Sequence, residues 1–272
     1  MATWLSYRNW VDAPSAVLTA ANEAGELVVG NLVNRLSYKI WRDDDIASGE
    51  TWFEVDFGQV REVGCLVLVF PRSNLPSSYD VEAAIADDDK VRHYLDATTP
   101  GDGAVYDSTQ VNSGVIPGFG YHAIKLASPV NARYWRCELS PTSRVASGFL
   151  DIARAWAGPV IEPAVGVSFG VSHMWRSNST ITEAARGESE FVDPRPSKRA
   201  YTMSFEWLTN AERDSLEDLD MLMTTAGQFV VCREDLTIPK GVMLARQEKS
   251  TGFAAAAAHL RNQKPYQLVE SM

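Results

Sequence analysis

A chain of 272 residues that is 45% hydrophobic and 22% charged carries enough apolar side chain to bury a core, which excludes general disorder. Its 35 acidic residues against 25 lysines and arginines give a formal net charge of -10, the wrong sign for a sequence-independent nucleic-acid binder, whose affinity comes mostly from neutralising phosphates. No apolar run approaches the roughly 20 residues that cross a bilayer, and Met1-Ala2-Thr3-Trp4 lacks the basic and apolar regions of a secretory signal; the expectation is a soluble protein made in the cytoplasm, with no membrane span.

The apolar pattern is mostly that of strands. In residues 51–58, Phe53, Val55 and Phe57 alternate with Glu54 and Asp56, so three apolar side chains share one face, and Gly58 reads as the end of the strand. Residues 63–70 form a continuous apolar run rich in β-branched side chains and closed by Pro71, the pattern of a strand buried on both faces. A weaker strand at 79–86 precedes the turn Asp87-Asp88-Asp89, residues 121–126 and 132–139 alternate, and 149–156 completes the set. Turn-forming clusters at 99–103 and 113–118 separate them. Several short strands without a convincing long helix predict a mainly β fold, a jelly-roll-like β-sandwich over residues 1–158.

Pro159 and Pro163 bracket a short extended piece and mark a boundary. A second domain, 164–272, begins with a strand-like stretch at 165–171, a polar excursion over 172–199 and an alternating strand at 200–207. The clearest helix of the chain is predicted over 209–226. Thr209 suits its N-cap, with Glu212 as the capping-box partner. Leu216, Leu219, Leu222 and Met223 fall on one face, and Gly227 ends it. Short strands at 228–232, 242–245 and 266–270 close a small β-sandwich with one packed helix. The five alanines at 254–258 favour a turn or two of helix, with an Ala-rich loop as the alternative.

Motifs of catalysis and metal binding are scarce. Cys65, Cys137 and Cys232 are far apart and read as buried small hydrophobes. His93, His122, His173 and His259 stand at no spacing that puts two imidazoles on one helical face. Asp43-Asp44-Asp45 and Asp87-Asp88-Asp89 do not match an EF-hand loop, and successive aspartates in a turn diverge, so both read as solvated turns. Ser168 lies between glycines in Gly166-Val-Ser-Phe-Gly170 but lacks the strand-turn-helix context of a nucleophile elbow. No catalytic residue, metal or cofactor is expected. The eight tryptophans are the more informative surplus. Trp52, Trp135 and Trp156 lie on or beside strands and suit a core, while Trp4, Trp10, Trp41 and Trp175 lie in loop-like or terminal text, where an exposed ring can serve a binding surface.

Residues 1–158 resemble a discoidin-type, galactose-binding-like β-sandwich. The resemblance rests on Trp41-Arg42 before a loop, on Trp52-Phe53-Glu54-Val55-Asp56-Phe57-Gly58, on the strand from Val60 to Phe70, and on Ala132-Arg133-Tyr134-Trp135-Arg136-Cys137-Glu138. It implies glycan, lipid or protein binding through loops at one end of the sandwich, without catalysis. Trp41, Arg42, Arg72 and Asn74 are then the candidate glycan or partner contacts, and Asp56 and Gly58 fix the strand end.

The second half resembles structural proteins of the tail tip of long-tailed bacteriophages, of the distal-tail or baseplate kind, through the Phe-x-Trp-Leu-Thr-x-x-Glu-Arg run of residues 205–213 and the strand, helix, strand order around it. That resemblance implies a homo-oligomeric ring, six-fold in the family, joining the tail tube to the host-recognition apparatus. Tube, hub, fibre or tip proteins would be its partners, the excursion over 172–198 an arm to a neighbouring subunit, and the virion tail its location. The resulting expectation is a non-enzymatic virion protein with an outward sandwich for protein or host-glycan contacts. A stand-alone carbohydrate-binding module and a glycan hydrolase with an unrecognised carboxylate pair are the alternatives. Residues 1–160 hold 20 acids and 13 bases, a net of -7, and the remainder 15 acids and 12 bases, a net of -3; a mildly acidic ring would let DNA pass without sticking.

Overall fold

A computed structural model describes the chain except residues 1–2, 37, 46–50, 72–89, 101–105, 112–119, 141–148, 169–170, 184–189, 196, 234–240, 253, 257–260 and 272. In chain order the strands are β1 (Thr3–Ser6), β2 (Val17–Ala20), β3 (Trp41–Asp43), β4 (Thr51–Val69), β5 (Lys90–Asp96), β6 (Tyr106–Val111), β7 (Tyr121–Ser140), β8 (Leu150–Ile152), β9 (Arg154–Gly158), β10 (Ser172–Arg176), β11 (Thr180–Glu183), β12 (Glu190–Asp193) and β13 (Lys198–Leu208). Helix α1 (Asn210–Met223) follows, then β14 (Phe229–Arg233), β15 (Val242–Gln247), β16 (Ala254–Ala256) and β17 (Arg261–Glu270). The protein is mainly β, a sandwich fold with a single α-helix among the described residues. The strand and turn predicted at 79–89 lie outside those residues. Two compact units divide the chain: Ser6–Val160 with Leu236–Val242 and Met272, and Met1–Leu5 with Ile161–Asp235 and Met243–Ser271.

In the first unit the strands expected at 51–58 and 63–70 are one strand of 19 residues, and those at 121–126 and 132–139 are one of 20. Gly58 therefore does not end its strand. It sits at φ 77°, where a Cβ would meet Ser15 at 2.7 Å, and there the β4–β7 register shifts between Asp56 and Arg61, shifting again between Val63 and Cys65. Only glycine takes that dihedral without cost, so the residue that looked like a terminator allows the bulge. The bulges let the ladder fold over. A straight strand would hold His122 and Trp135 about 40 Å apart, yet both side chains touch His93 of β5.

One layer of the sandwich thus holds β2, the first half of β4, the last half of β7, β5 and β6; the other holds the second half of β4, the start of β7, and β9. Between them lie Phe53, Val55, Phe57, Leu66, Leu68, Leu95, Trp135 and Cys137, all without exposure. Each large apolar side chain buried this way contributes about 1.5–3 kcal/mol before the entropy of ordering is subtracted.

The second unit is built on a seven-stranded sheet ordered β1-β14-β15-β17-β13-β10, with β16 pairing β17. Its edge strand β1 comes from the extreme N-terminus, which the linear division at residue 158 does not foresee. The alanine run predicted as helix or loop supplies β16, whose backbone pairs antiparallel with β17 at Ala254–Gln263, Ala255–Asn262 and Ala256–Arg261; the sheet edge offers partners that outweigh helix propensity.

Helix α1 starts as expected. Thr209 Oγ1 accepts from the Glu212 N–H at 3.3 Å and Glu212 Oε2 accepts from the Thr209 N–H at 2.7 Å, a complete capping box. It ends earlier than 226, because Thr224 leaves helical geometry at φ 48° while its N–H still reaches Asp220 O. Leu216 and Leu219 are buried, whereas Leu222 faces solvent. Asp220 turns toward the sheet, where it accepts from Gln247 Nε2 at 2.5 Å and pairs with the buried Lys264. Deeper in this unit Arg199 and Glu270 form an ion pair with no exposed surface, reinforced by the Arg199 N–H to Glu270 Oε2 at 3.1 Å.

Candidate binding site

Two of the residues singled out for ligand contact, Trp41 and Arg42, lie on the two-stranded ribbon β3–β8. Antiparallel pairing sets Trp41 opposite Ile152, Arg42 opposite Asp151 and Asp43 opposite Leu150. Strand alternation then sends Trp41 and Asp43 inward and leaves Arg42 on the outer side. Backbone bonds hold the ribbon to the preceding turn: the Arg42 N–H donates to Leu27 O at 3.0 Å, and the Ala24 N–H donates to Arg42 O at 3.1 Å.

Trp41 is not a surface ring. It has no exposed area, donates its indole N–H to Asn22 O at 3.0 Å and meets Phe53 edge to face at 5.7 Å between centroids. The expected sugar-stacking role is corrected here: a wholly enclosed ring packs the core, and its polar edge is satisfied by a backbone carbonyl. Arg72 and Asn74 lie outside the described residues.

Arg42 is the candidate that reaches the surface, with a side chain 23% exposed. Its Nε donates to Asp151 Oδ1 at 2.7 Å and its Nη2 to Asp151 Oδ2 at 2.9 Å. The guanidinium carbon lies 3.7 Å from the centroid of the Phe149 ring. A bidentate carboxylate fixes the plane of the cation and the aromatic face supports it, so a long side chain is held in one orientation. Asp151 and Phe149 were not singled out in the sequence. They stand more than a hundred residues from Arg42, and only the strand pairing brings them together.

The acidic run beside the ribbon is a solvated turn only in part, since Asp43 belongs to β3. Asp43 is buried and its Oδ1 accepts from the Asp45 N–H at 2.9 Å, while Asp44 and Asp45 face solvent. Among the described residues no group of three or more histidine, cysteine or acidic side chains is placed to hold a metal ion. Asp87-Asp88-Asp89 lies outside them.

Asp56 and Gly58 act together at the bulge. Asp56 Oδ1 accepts from the Gly58 N–H at 2.7 Å, and the carboxylate takes two bonds of 2.9 Å from Arg133. The hydrogen bonds from Arg133 hold the Asp56 carboxyl below its usual range. Cys65, Cys137 and Cys232 are all buried, and burial pushes the Cys65 thiol up to about 12, so it is no nucleophile near neutrality. Ser168 donates its hydroxyl to Ser204 O at 2.8 Å on a β-bridge to the second sheet.

Of the other tryptophans, Trp4, Trp135 and Trp156 are buried; Trp52 lies under Arg136 at 4.2 Å, and Trp10 donates to Glu62 O at 2.7 Å. The exposed rings belong to the second unit. Trp175 lies on β10, and Trp207, at φ 64°, occupies the bulge between Phe205 and Leu208.

No family model matches the sequence, and no curated protein gives a significant match. Among solved structures the chain is similar to the family 32 carbohydrate-binding module of Clostridium perfringens NanJ in complex with galactose, at 13% identity and a TM-score of 0.39, covering 56% of this chain and 98% of that one. It is similar also to a fucose-binding module of Streptococcus pneumoniae, at 16% identity and a TM-score of 0.38, over 56% of this chain and 95% of that one. A chitosan-binding module from a chitosanase/glucanase of Paenibacillus sp. IK-5 stands at 16% identity and a TM-score of 0.40, over 56% of this chain and 100% of that one.

Proposed function

We propose that this chain is a non-catalytic recognition protein whose sandwich unit binds carbohydrate at the outer side of the β3–β8 ribbon. The observation that supports this reading is the Arg42 guanidinium, clamped by Asp151 and stacked on Phe149. Such a plane holds an oriented cation beside an aromatic residue on the outer side of the ribbon, a preorganised setting for a hydroxyl-bearing ligand. Orientation is fixed before the ligand arrives, so little side-chain entropy is lost on binding.

The test is a glycan array of neutral hexoses and amino sugars probed with the full chain, followed by titration of any hit against Arg42→Ala. Saccharide binding that falls at least tenfold in the variant supports the reading. Binding that the variant leaves untouched moves the site elsewhere, and no binding to any glycan removes the reading.

A second reading is favoured by β10. All five of its residues are exposed, and it is the end strand of its sheet. Met174 and Trp175 of β10, with Ile181 and Val192 of the β11–β12 hairpin, are more than half exposed. Edge strands with apolar side chains invite pairing with another chain. This suits an assembly protein of a phage tail tip, with β10 and the hairpin as the arm to a neighbouring subunit and other tail proteins as partners. Light scattering tests it. A ring mass that Trp175→Asp reduces to the monomer supports assembly, and a wild-type monomer at micromolar concentration contradicts it.

A further inference from the structure

Two histidines meet across the layers of the sandwich unit. His93 on β5 and His122 at the start of β7 are both buried, with their Nε2 atoms 3.2 Å apart and their ring planes 18° from parallel. Such a nitrogen pair is also the spacing of two imidazoles on one metal ion. A third partner decides between the two. Trp135 directs its indole N–H at His93 Nδ1 over 3.1 Å. An indole nitrogen only donates, so His93 Nδ1 is bare, its proton sits on Nε2, and Nε2 has no lone pair for a metal. That N–H then donates to His122 Nε2, whose own proton lies on Nδ1.

We propose that this Trp135–His93–His122 chain is an acid-sensitive latch, joining the two layers of the sandwich while both rings are neutral and releasing them when either ring takes up a proton. A proton on His122 Nε2 sets two N–H groups face to face. A proton on His93 Nδ1 does the same against Trp135 and leaves a buried cation.

Among the described residues paired with the two histidines, none supplies a compensating charge. In the pairing register His93 faces Cys137 of β7 and Ser108 of β6, and His122 faces Leu68 of β4. The Cys137 thiol is kept protonated by burial first and by Glu138 second. Arg92 and Tyr94 of β5 alternate to the opposite face of the sheet, in register with Glu138 and Arg136. Burial holds the His122 imidazole down at about 4, and burial together with His122 holds His93 well below 6.5.

The sign follows from linkage. Both imidazoles titrate lower in the folded chain than in the unfolded one, so their stabilisation is complete above the unfolded value of 6.5 and is lost as pH falls through it toward 4. The unfolded-to-folded ratio then rises by up to about tenfold per pH unit for each proton taken up.

Urea unfolding of the full chain, followed by tryptophan fluorescence between about pH 7 and about pH 4.5, reads this out. The wild type should lose stability with uptake of up to two protons. His122→Gln, which keeps an acceptor near the Nε2 position and cannot titrate, should lose one of them. A wild-type midpoint that is flat over this range, or a variant with the same proton uptake, overturns the proposal. If the variant fails to fold, 15N NMR of the wild-type imidazoles near neutral pH decides. His93 protonated at Nε2 and His122 at Nδ1 is the expected result; the opposite tautomers, or a charged ring, would overturn it.

Discussion

Arg42 and Asp151 form a structural clamp that, on the proposed reading, also orients the guanidinium for a ligand. Asp151 is 4% exposed and Arg42 23%, so removing the carboxylate strands a cation that water only partly reaches. Asp151→Ala should cost about 2–3 kcal/mol, toward the low end of the range for breaking a buried pair, read as a lower urea midpoint at unchanged m-value. The same variant should weaken any saccharide affinity that Arg42 provides, because the guanidinium loses its fixed plane. Gly58→Ala tests a different residue-scale demand. Its φ of 77° and the 2.7 Å approach of Ser15 to the would-be Cβ predict a loss of about 1–3 kcal/mol, measured in the same way. Sequence alone offered Arg42 as a candidate contact but could not supply Asp151 or Phe149, because a cross-strand partner carries no local signal. It erred on Trp41 for a related reason. A tryptophan in loop-like text looks exposed, and only the closing of β3 against β8 encloses it.

At the scale of elements, period and capping were legible and continuity was not. Alternation at Phe53, Val55 and Phe57 placed those side chains on the buried face, and Thr209 with Glu212 marked the start of α1. The end of a strand was harder to read, because Gly58 serves a bulge as readily as a terminator. The alanine run misled because its intrinsic preference is helical, whereas the neighbouring β17 offers it hydrogen bonds. Two predictions belong here. Thr209→Ala removes the acceptor for the Glu212 N–H and should cost about 1 kcal/mol, seen as a lowered thermal midpoint. Glu270→Gln removes the carboxylate that pairs with the wholly buried Arg199 and should cost about 3 kcal/mol or more; urea unfolding measures it. A loss below half that value would contradict the expectation.

For the whole molecule, the charge of -10 acts through its distribution. The larger part of it falls in residues 1–160, whose outer sheet carries the ion pairs Asp56–Arg133 and Arg136–Glu138. A net-acidic unit repels anionic polymers over about a Debye length, which on the proposed reading suits a ligand whose polar groups are hydroxyls. The mainly β architecture was legible from strand spacing. The contribution of β1 to the second sheet was not, because strand order within a sheet is a property of long-range pairing. The His93–His122 contact was equally hidden: residues on different strands meet only because the β4–β7 ladder folds over.

Carbohydrate recognition through the Arg42 platform is the central claim, and isothermal titration of the full chain with the saccharide that binds best on a glycan array tests it most directly. The account predicts saturable binding to the wild type and at least a tenfold loss of affinity in Arg42→Ala that keeps the wild-type circular dichroism spectrum, its stability falling by about 2–3 kcal/mol because the Asp151 carboxylate is 4% exposed. Equal affinity in the two proteins, or no heat with any saccharide, would contradict it.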